Sequence, residues 1–201
     1  LRLTPARIEA IASDVDHVIT LADPLCTHFD SRTLRSGMRA HKRRVPIGVL
    51  GVIYESRPNV TIDVAALAIK TGNAAVLRGG KEAIHSNRVL LALARTALAQ
   101  AGLPEDALAL VDSTEREATL ALLQMDQHID LIIPRGGAGL HAFCRRESRI
   151  PVITGGIGIC HLYVDAAADL ARALPVIRNA KVQRPTVCNA LDTVLVHRAV
   201  A

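Results

Sequence analysis

Residues 45–82 read VPIGVLGVIYESRPNVTIDVAALAIKTGNAAVLRGGKE. The stretch opens on an apolar run from Val45 to Tyr54, turns at Arg57-Pro58 and enters a helix-like segment from Asn59 to Lys70. Gly72 closes that segment, and a second short apolar run follows from Ala74 to Leu77. Apolar runs that do not alternate with polar residues suit strands covered on both faces. Strands joined through a helix in this way pair in parallel. This stretch therefore predicts a β–α–β unit.

The same rhythm extends outward. Downstream it predicts a helix from Ala83 to Ala101, a strand from Ala107 to Val111, a helix near Glu115 to Leu123, a strand from Ile129 to Ile133 and a helix from Ala138 to Arg145. Upstream, Ile8, Ile11, Ala12, Val15, Val18 and Ile19 recur at helical spacing behind Thr4, a candidate N-cap. Residues 22–44 are polar and irregular, with room for a short edge strand or hairpin arm. Their basic run His41-Lys42-Arg43-Arg44 reads as a solvated loop. Near Ile150 the pattern changes. A Thr154-Gly155-Gly156-Ile157-Gly158 turn precedes a strand from Cys160 to Val164, a helix from Ala167 to Asn179, a loop from Lys181 to Asn189 and a strand from Thr193 to His197. The expected fold is α/β: a doubly wound, parallel-sheet nucleotide-binding domain over residues 1–153, then the beginning of a second α/β domain over 154–201.

Composition narrows the function classes. Half of the 201 residues are hydrophobic, a fifth are charged and the formal net charge is +5, which suits a folded chain and an anionic small molecule. Two Phe, two Tyr and no Trp leave few platforms for base stacking, so no nucleic-acid partner is expected. The four cysteines, Cys26, Cys144, Cys160 and Cys188, form no C-x-x-C pair and have no zinc-finger spacing to histidine. The eight histidines read as scattered. Neither a metal site nor a disulfide framework is expected, and a reducing, cytoplasmic setting fits. No run of about 18 uncharged apolar residues suggests a membrane span. The chain lacks an initiator Met and stops at Ala201 just after an apolar run. It therefore reads as an internal fragment.

Three glycine turns follow strands: Arg78-Gly79-Gly80-Lys81, Gly136-Gly137-Ala138-Gly139 and Gly155-Gly156-Ile157-Gly158. Backbone amides at such turns can converge on phosphate, although a single turn is more often a plain strand-to-helix connection. None matches G-x-G-x-x-G. Three in one chain favour a dinucleotide. The cations Arg78 and Lys81 at the first turn favour NADP over NAD, because a 2′-phosphate repels carboxylates. Gly79, Gly80, Gly136, Gly137 and Gly139 are the accompanying candidate cofactor ligands. Cys26, Cys144 and Cys160 lie in or beside apolar stretches and read as small buried hydrophobes. Cys188 lies in a loop with Lys181 and Arg184 near in sequence. Spacing alone does not decide between a reactive and an ordinary thiol there.

The motifs from Val45 to Thr61, Lys70-Thr71-Gly72-Asn73, Leu77 to Glu82, Ile133 to Leu140, Val152 to Gly158 and Gln183-Arg184-Pro185-Thr186-Val187-Cys188-Asn189 closely resemble the γ-glutamyl phosphate reductases, within the aldehyde dehydrogenase superfamily. The resemblance runs through nearly the whole chain. It implies NADPH-dependent reduction of glutamyl 5-phosphate to glutamate 5-semialdehyde in proline biosynthesis. In that reaction Cys188 attacks the acyl phosphate, phosphate leaves, and NADPH reduces the thioester. Asn59 corresponds to the superfamily asparagine that helps hold the carbonyl oxygen; from the residues alone it reads as a helix N-cap. Ile153 stands where hydrolytic aldehyde dehydrogenases carry a general-base glutamate, which argues against aldehyde oxidation. The resemblance also implies that the opening part and the second half of the family's length lie outside this sequence, the latter with the arm that builds homo-oligomers. The 201 residues alone are expected to bind NADPH weakly and not to turn over. The competing reading is a catalytically silent nucleotide-binding module of the same fold.

Overall fold

The computed structural model describes residues 3–55, 57–155 and 158–201. Ser56, Gly156, Ile157 and the side chain of Cys26, all within stretches read above, lie outside the described residues. The chain divides into two compact units, Leu1–Thr154 and Gly155–Ala201.

In the first unit, α1 (Pro5–Thr20) starts where expected. Thr4 holds the N-cap position with extended backbone, but its side chain makes no capping bond; its carbonyl accepts the amides of Arg7 and Ile8 instead. The hairpin arm that residues 22–44 had room for is β1 (His28–Thr33) paired antiparallel with β2 (Arg39–Arg43), with a register shift between Phe29 and Arg32. The basic run is therefore largely strand and not loop. Across the hairpin, Lys42 pairs with Asp30 at 2.6 Å and the Arg44 guanidinium lies 4.7 Å from the centre of the Phe29 ring. Two of the supposedly scattered histidines also meet here, with the His28 and His41 rings 4.3 Å apart. Sequence spacing conceals such pairs because antiparallel pairing brings distant positions side by side.

The parallel sheet follows: β3 (Val49–Tyr54), α2 (Asn59–Lys70), β4 (Ala74–Arg78), α3 (Ile84–Gln100), β5 (Leu108–Leu110), α4 (Arg116–Leu123), β6 (Leu131–Arg135) and α5 (Ala138–Glu147). The strand order is β5-β4-β3-β6 and every pairing is parallel. The chain winds outward from β3 to β5 and then returns to place β6 on the other side of β3, which makes a doubly wound sheet. A bridge between Ile132 and Val152 touches the outer edge of β6.

Alternation along the strands assigns the two faces. Leu50, Val52, Tyr54, Ala75 and Leu77 join one cluster with Val60, Ala65 and Ala68 of α2 and Leu91 and Leu98 of α3. Ile53 and Ile132 join a second with Leu122 and Leu123 of α4, Cys144 of α5, and Ile150. Gly51 faces this second cluster, where an added Cβ would stand 2.5 Å from Ile132 Cδ1. A bulkier residue would push the two layers apart.

Two boundaries differ from the expected ones for identifiable reasons. β3 begins at Val49, four residues after the apolar run starts. Pro46 has no N–H, the amides of Ile47 and Gly48 both donate to Asn73 Oδ1 (2.6 and 2.9 Å), and Gly48 takes φ +127°. A clamp therefore occupies the first residues of the run. β6 begins two residues late, because the Ile129 amide still donates to the Met125 carbonyl. It then continues through Pro134 to Arg135.

The second unit consists of β7 (Cys160–Val164), α6 (Leu170–Val182) and β8 (Leu191–Val196), with β7 and β8 parallel. The helix begins later than read because Asp165 Oδ1 accepts the Ala167 amide in a preceding turn, and Asp169 then caps the helix through the Arg172 amide. It also runs through Lys181, which is helical and not part of the loop.

Two consequences are measurable. Asn73 is 6% exposed and holds two backbone amides at the entrance to the central strand. Asn73→Ala should lower stability by about 2 kcal/mol in urea unfolding, because the amides lose their acceptor. Burial pushes the Cys144 thiol from 9.0 up to about 11. A thiol raised in the folded state stabilises fully below about pH 9 and less as pH rises through 11. The urea midpoint should therefore fall between pH 9 and 11, more steeply than in Cys144→Ala.

Candidate functional site

In an open parallel sheet, ligands bind beyond the carboxyl ends of the strands, beside the point where strand order reverses. Here that point lies between β3 and β6. A cavity of about 290 Å3 opens there, lined by Tyr54 and Glu55 at the end of β3, Arg78 and Gly80 at the end of β4, Thr114 and Arg116 at the start of α4, and Gly139, Leu140 and Phe143 of α5. A larger cleft of about 430 Å3 among α1, α2 and α3 is lined almost wholly by aliphatic side chains. The one cation lining it, Lys70, donates to the Ile19 carbonyl. Of these two, the smaller cavity is the one where polar groups able to orient a charged ligand converge.

Of the candidate residues, Arg78, Gly80 and Gly139 line this cavity. Arg78 is a strut: Nη1 donates to the Gly79 carbonyl at 2.7 Å, and Nη2 to the carbonyls of Thr114 and Glu115 at 3.2 and 3.4 Å. Its Nε is buried without a hydrogen-bond partner. Most of the guanidinium fork is thus spent on holding the loop before α4 against the end of β4. Gly79 is buried, and an added Cβ would meet Asn87 Nδ2 at 2.1 Å and Tyr54 Cε2 at 3.1 Å. Close approach to a fully buried Tyr54–Thr61–Asn87 network (2.7 and 3.0 Å) accounts for that glycine. Gly80 turns the chain beside the Glu82 carboxylate, and Lys81 is exposed at the start of a 3-10 turn.

At the second glycine turn, the N-terminus of α5 already has an anion beside it. The Gly137 amide donates to Glu55 Oε2 at 3.3 Å, and a Cβ on Gly136 would collide with the Glu55 carboxyl. A helix N-terminus favours negative charge whatever its source, so Glu55 competes with any phosphate at this position. Gly139, in the first turn of α5, has open space where a Cβ would stand and lines the cavity.

Sequence reading did not single out Glu55, Thr114, Arg116 or Phe143. Arg116 is exposed at the first position of α4, and its guanidinium lies 4.9 Å from the centre of the Phe143 ring. The rule about carboxyl ends, applied to the loop after β5, would have pointed to Thr114 and Arg116. Glu55 gave no signal, because its partner amide is 82 residues away in sequence.

Asn59 is the first residue of α2, with Pro58 in the N-cap position, so the N-cap reading is corrected. Its amide nitrogen donates to Asp63 Oδ2 at 3.0 Å, one turn along the same helix. Burial raises the Asp63 pKa, and the hydrogen bond from Asn59 partly offsets the rise. While ionised, Asp63 can only accept, which fixes the amide with its nitrogen toward Asp63. One N–H of Asn59 remains outside that bond.

In the second unit, Cys188 is exposed in the turn between α6 and β8. The Lys181 ammonium, close in sequence, donates to the Leu191 carbonyl at 2.8 Å. Cys160 Sγ lies 3.6 Å from the Cys188 carbonyl oxygen. Ile153, at the end of the first unit, is 58% exposed, and its amide donates to the Ile132 carbonyl. Among the described residues no group of three or more His, Cys, Asp or Glu could hold a metal ion, and no helix is long and apolar enough to cross a membrane.

Over all 201 residues the chain is 61% identical to a γ-glutamyl phosphate reductase of Roseiflexus castenholzii, and it spans 48% of that protein's length. Among solved structures, γ-glutamyl phosphate reductase of Thermotoga maritima superposes on the whole chain with a TM-score of 0.90 at 42% identity, again over 48% of that chain. The enzyme of the same name from Saccharomyces cerevisiae superposes on 99% of this chain, and 49% of its own, with a TM-score of 0.68 at 32% identity. The chain thus spans about half the length of the curated relatives it matches. Residues 5–201 match the aldehyde dehydrogenase family, and with the doubly wound parallel sheet this match shows that the chain belongs to that family.

Proposed function

We propose that this chain carries the nucleotide-binding part and the nucleophile-bearing segment of an NADPH-dependent γ-glutamyl phosphate reductase, which converts L-glutamyl 5-phosphate to L-glutamate 5-semialdehyde in proline biosynthesis. The observation that carries this reading is 61% identity, over every residue of the chain, to a relative of that name. The setting in this reading is cytoplasmic, the substrate is a small acyl phosphate and the longer protein is a homo-oligomer.

In this reading Cys188 attacks the acyl carbon, a carbon–sulfur bond forms, and the carbon–oxygen bond to phosphate breaks. The cofactor, when bound, supplies the hydride that reduces the resulting thioester. The N–H of Asn59 that is not given to Asp63 holds the carbonyl oxygen as it gains charge. Ile153 brings no carboxylate to activate water, so the thioester persists long enough to be reduced.

The cavity suits an anionic dinucleotide. Arg78 Nε is buried and unpaired, Arg116 lies over Phe143 at the cavity, and Gly139 leaves the first turn of α5 open. Because the tips of Arg78 are held by three carbonyls, the cations left to read a 2′-phosphate are Lys81 and Arg116. A silent nucleotide-binding module would use the same cavity but would not need Cys188.

Two experiments test the proposal. In the first, these 201 residues replace the matching half of the Roseiflexus castenholzii relative. The reverse reaction is then followed as NADP reduction with glutamate 5-semialdehyde and phosphate. The chimera should turn over, Cys188→Ala should abolish turnover, and Asn59→Ala should lower kcat by about 10²–10³. Full activity without Cys188 would overturn the assignment. The 201 residues alone should bind NADPH weakly without turnover, since misplacing a nucleophile by about 1 Å can cost 10²-fold. In the second, the double change Lys81→Ala and Arg116→Ala should weaken NADPH binding by roughly tenfold or more in calorimetric titration and leave NADH nearly unchanged. Equal losses for both cofactors would overturn the 2′-phosphate assignment.

A further inference from the structure

Two of the three cysteines with described side chains meet in the second unit. Cys160 opens β7, and Cys188 lies in the turn that leads into its parallel partner β8. Cys160 Sγ is 3.6 Å from the carbonyl oxygen of Cys188. The segment before β7 runs equally close, since a Cβ on Gly158 would stand 3.2 Å from that same oxygen. The ladder is irregular here, with a register shift between Cys160 and His161. The turn carrying Cys188 is held by short-range bonds, Val187 N to the Arg184 carbonyl and Ala190 N to the Val187 carbonyl. Cys188 is exposed and Cys160 partly so, whereas Cys144 is fully buried in the first unit. A disulfide asks for Cα atoms about 4.4–6.8 Å apart. Cys160 Sγ lies beside the backbone of Cys188, so cross-linking requires only that this short turn bring the Cys188 sulfur round to it.

We propose that Cys160 is a resolving thiol for Cys188, so that peroxide converts the pair into a reversible disulfide. The Cys188 thiolate gives an electron pair to one oxygen of hydrogen peroxide. The O–O bond breaks, the other oxygen leaves as water after protonation, and Cys188 becomes a sulfenic acid. The Cys160 sulfur then attacks the sulfenyl sulfur. The S–S bond forms, the S–O bond breaks and a second water leaves with the Cys160 proton. In sum, two thiols and one hydrogen peroxide give one disulfide and two waters, with two electrons passing from sulfur to oxygen. A dithiol reductant reverses the change by exchange. The disulfide masks the residue assigned above as nucleophile and stops its oxidation short of the irreversible sulfinic acid. The protective role rests on that assignment; the cross-link itself does not.

The test uses the 201-residue chain under native conditions, treated with a small excess of hydrogen peroxide, alkylated and digested with trypsin. Cys160 and Cys188 fall in the tryptic peptides 150–172 and 182–198. The expected product joins these two peptides, forms independently of protein concentration and disappears with dithiothreitol. In Cys160→Ser, Cys188 should reach sulfinic acid about tenfold faster than in the unsubstituted chain. Recovery of peptide 150–172 fully alkylated while Cys188 is over-oxidised would overturn the proposal, and so would a cross-link from Cys188 to Cys26. The peptide map of the unsubstituted chain decides this even if Cys160→Ser fails to fold. If the cross-link forms while the Cys188→Ala chimera stays active, the nucleophile assignment falls and the resolving pair stands. If the chimera is inactivated but no cross-link forms, the resolving pair falls alone.

Discussion

The first unit is organised around one strand that must be buried on both faces and paired on both edges. β3 bonds in parallel to β4 and to β6, and Val52, Ile53 and Tyr54 are each exposed by 2% or less. A strand so placed has no polar face, and its first amides cannot be left without acceptors. Asn73 takes the amides of Ile47 and Gly48, and Asp130 Oδ2 takes that of Val49 at 2.7 Å. Both acceptors belong to segments that lead into the neighbouring strands, so the register of the three strands and the start of β3 are set together.

From that arrangement the position of the cavity follows. Winding outward to β5 and back to β6 leaves a gap in helix coverage beyond the carboxyl ends of β3 and β6. Glycine turns and cations arrive there because the strands end there, yet the protein itself uses many of them. Arg78 holds the loop before α4, Gly79 makes room for Asn87, and Glu55 takes the amide of Gly137. Charge and glycine content therefore overstate how much of such an edge is left to a ligand. Arg116 and the open turn at Gly139 carry the remaining capacity in the cavity lining.

The cysteines show how environment separates chemically identical groups. Cys144 is sealed between α4, α5 and the sheet, and desolvation keeps its thiol protonated up to about pH 11. Cys188 and Cys160 lie in a unit of two strands and one helix, where a turn and a strand end face solvent. Reactivity requires access as well as a thiolate. Access is what the second unit provides and the core of the first denies.

The sequence by itself determined the order and type of nearly every element, because apolar runs without alternation and helical spacing are local signals that parallel pairing and two-sided burial impose. It also placed Cys144 in the core and Cys188 between a helix and a strand. Within residues 22–44 a short edge strand or hairpin arm was legible, but its bounds at 28–33 and 39–43 were not, since its polar, exposed residues are ordered through cross-strand partners such as Asp30 with Lys42. The start of β3, the use of Arg78 as a strut, the pairing of Glu55 with Gly137, the bond between Asn59 and Asp63 and the approach of Cys160 to Cys188 were decided by tertiary structure. All but one of these join residues far apart in sequence, and a chain read in order cannot say which donors and acceptors folding will bring together. The exception, Asn59, depends on which of two local hydrogen bonds its amide takes, and the partly buried Asp63 carboxylate one turn away decided it.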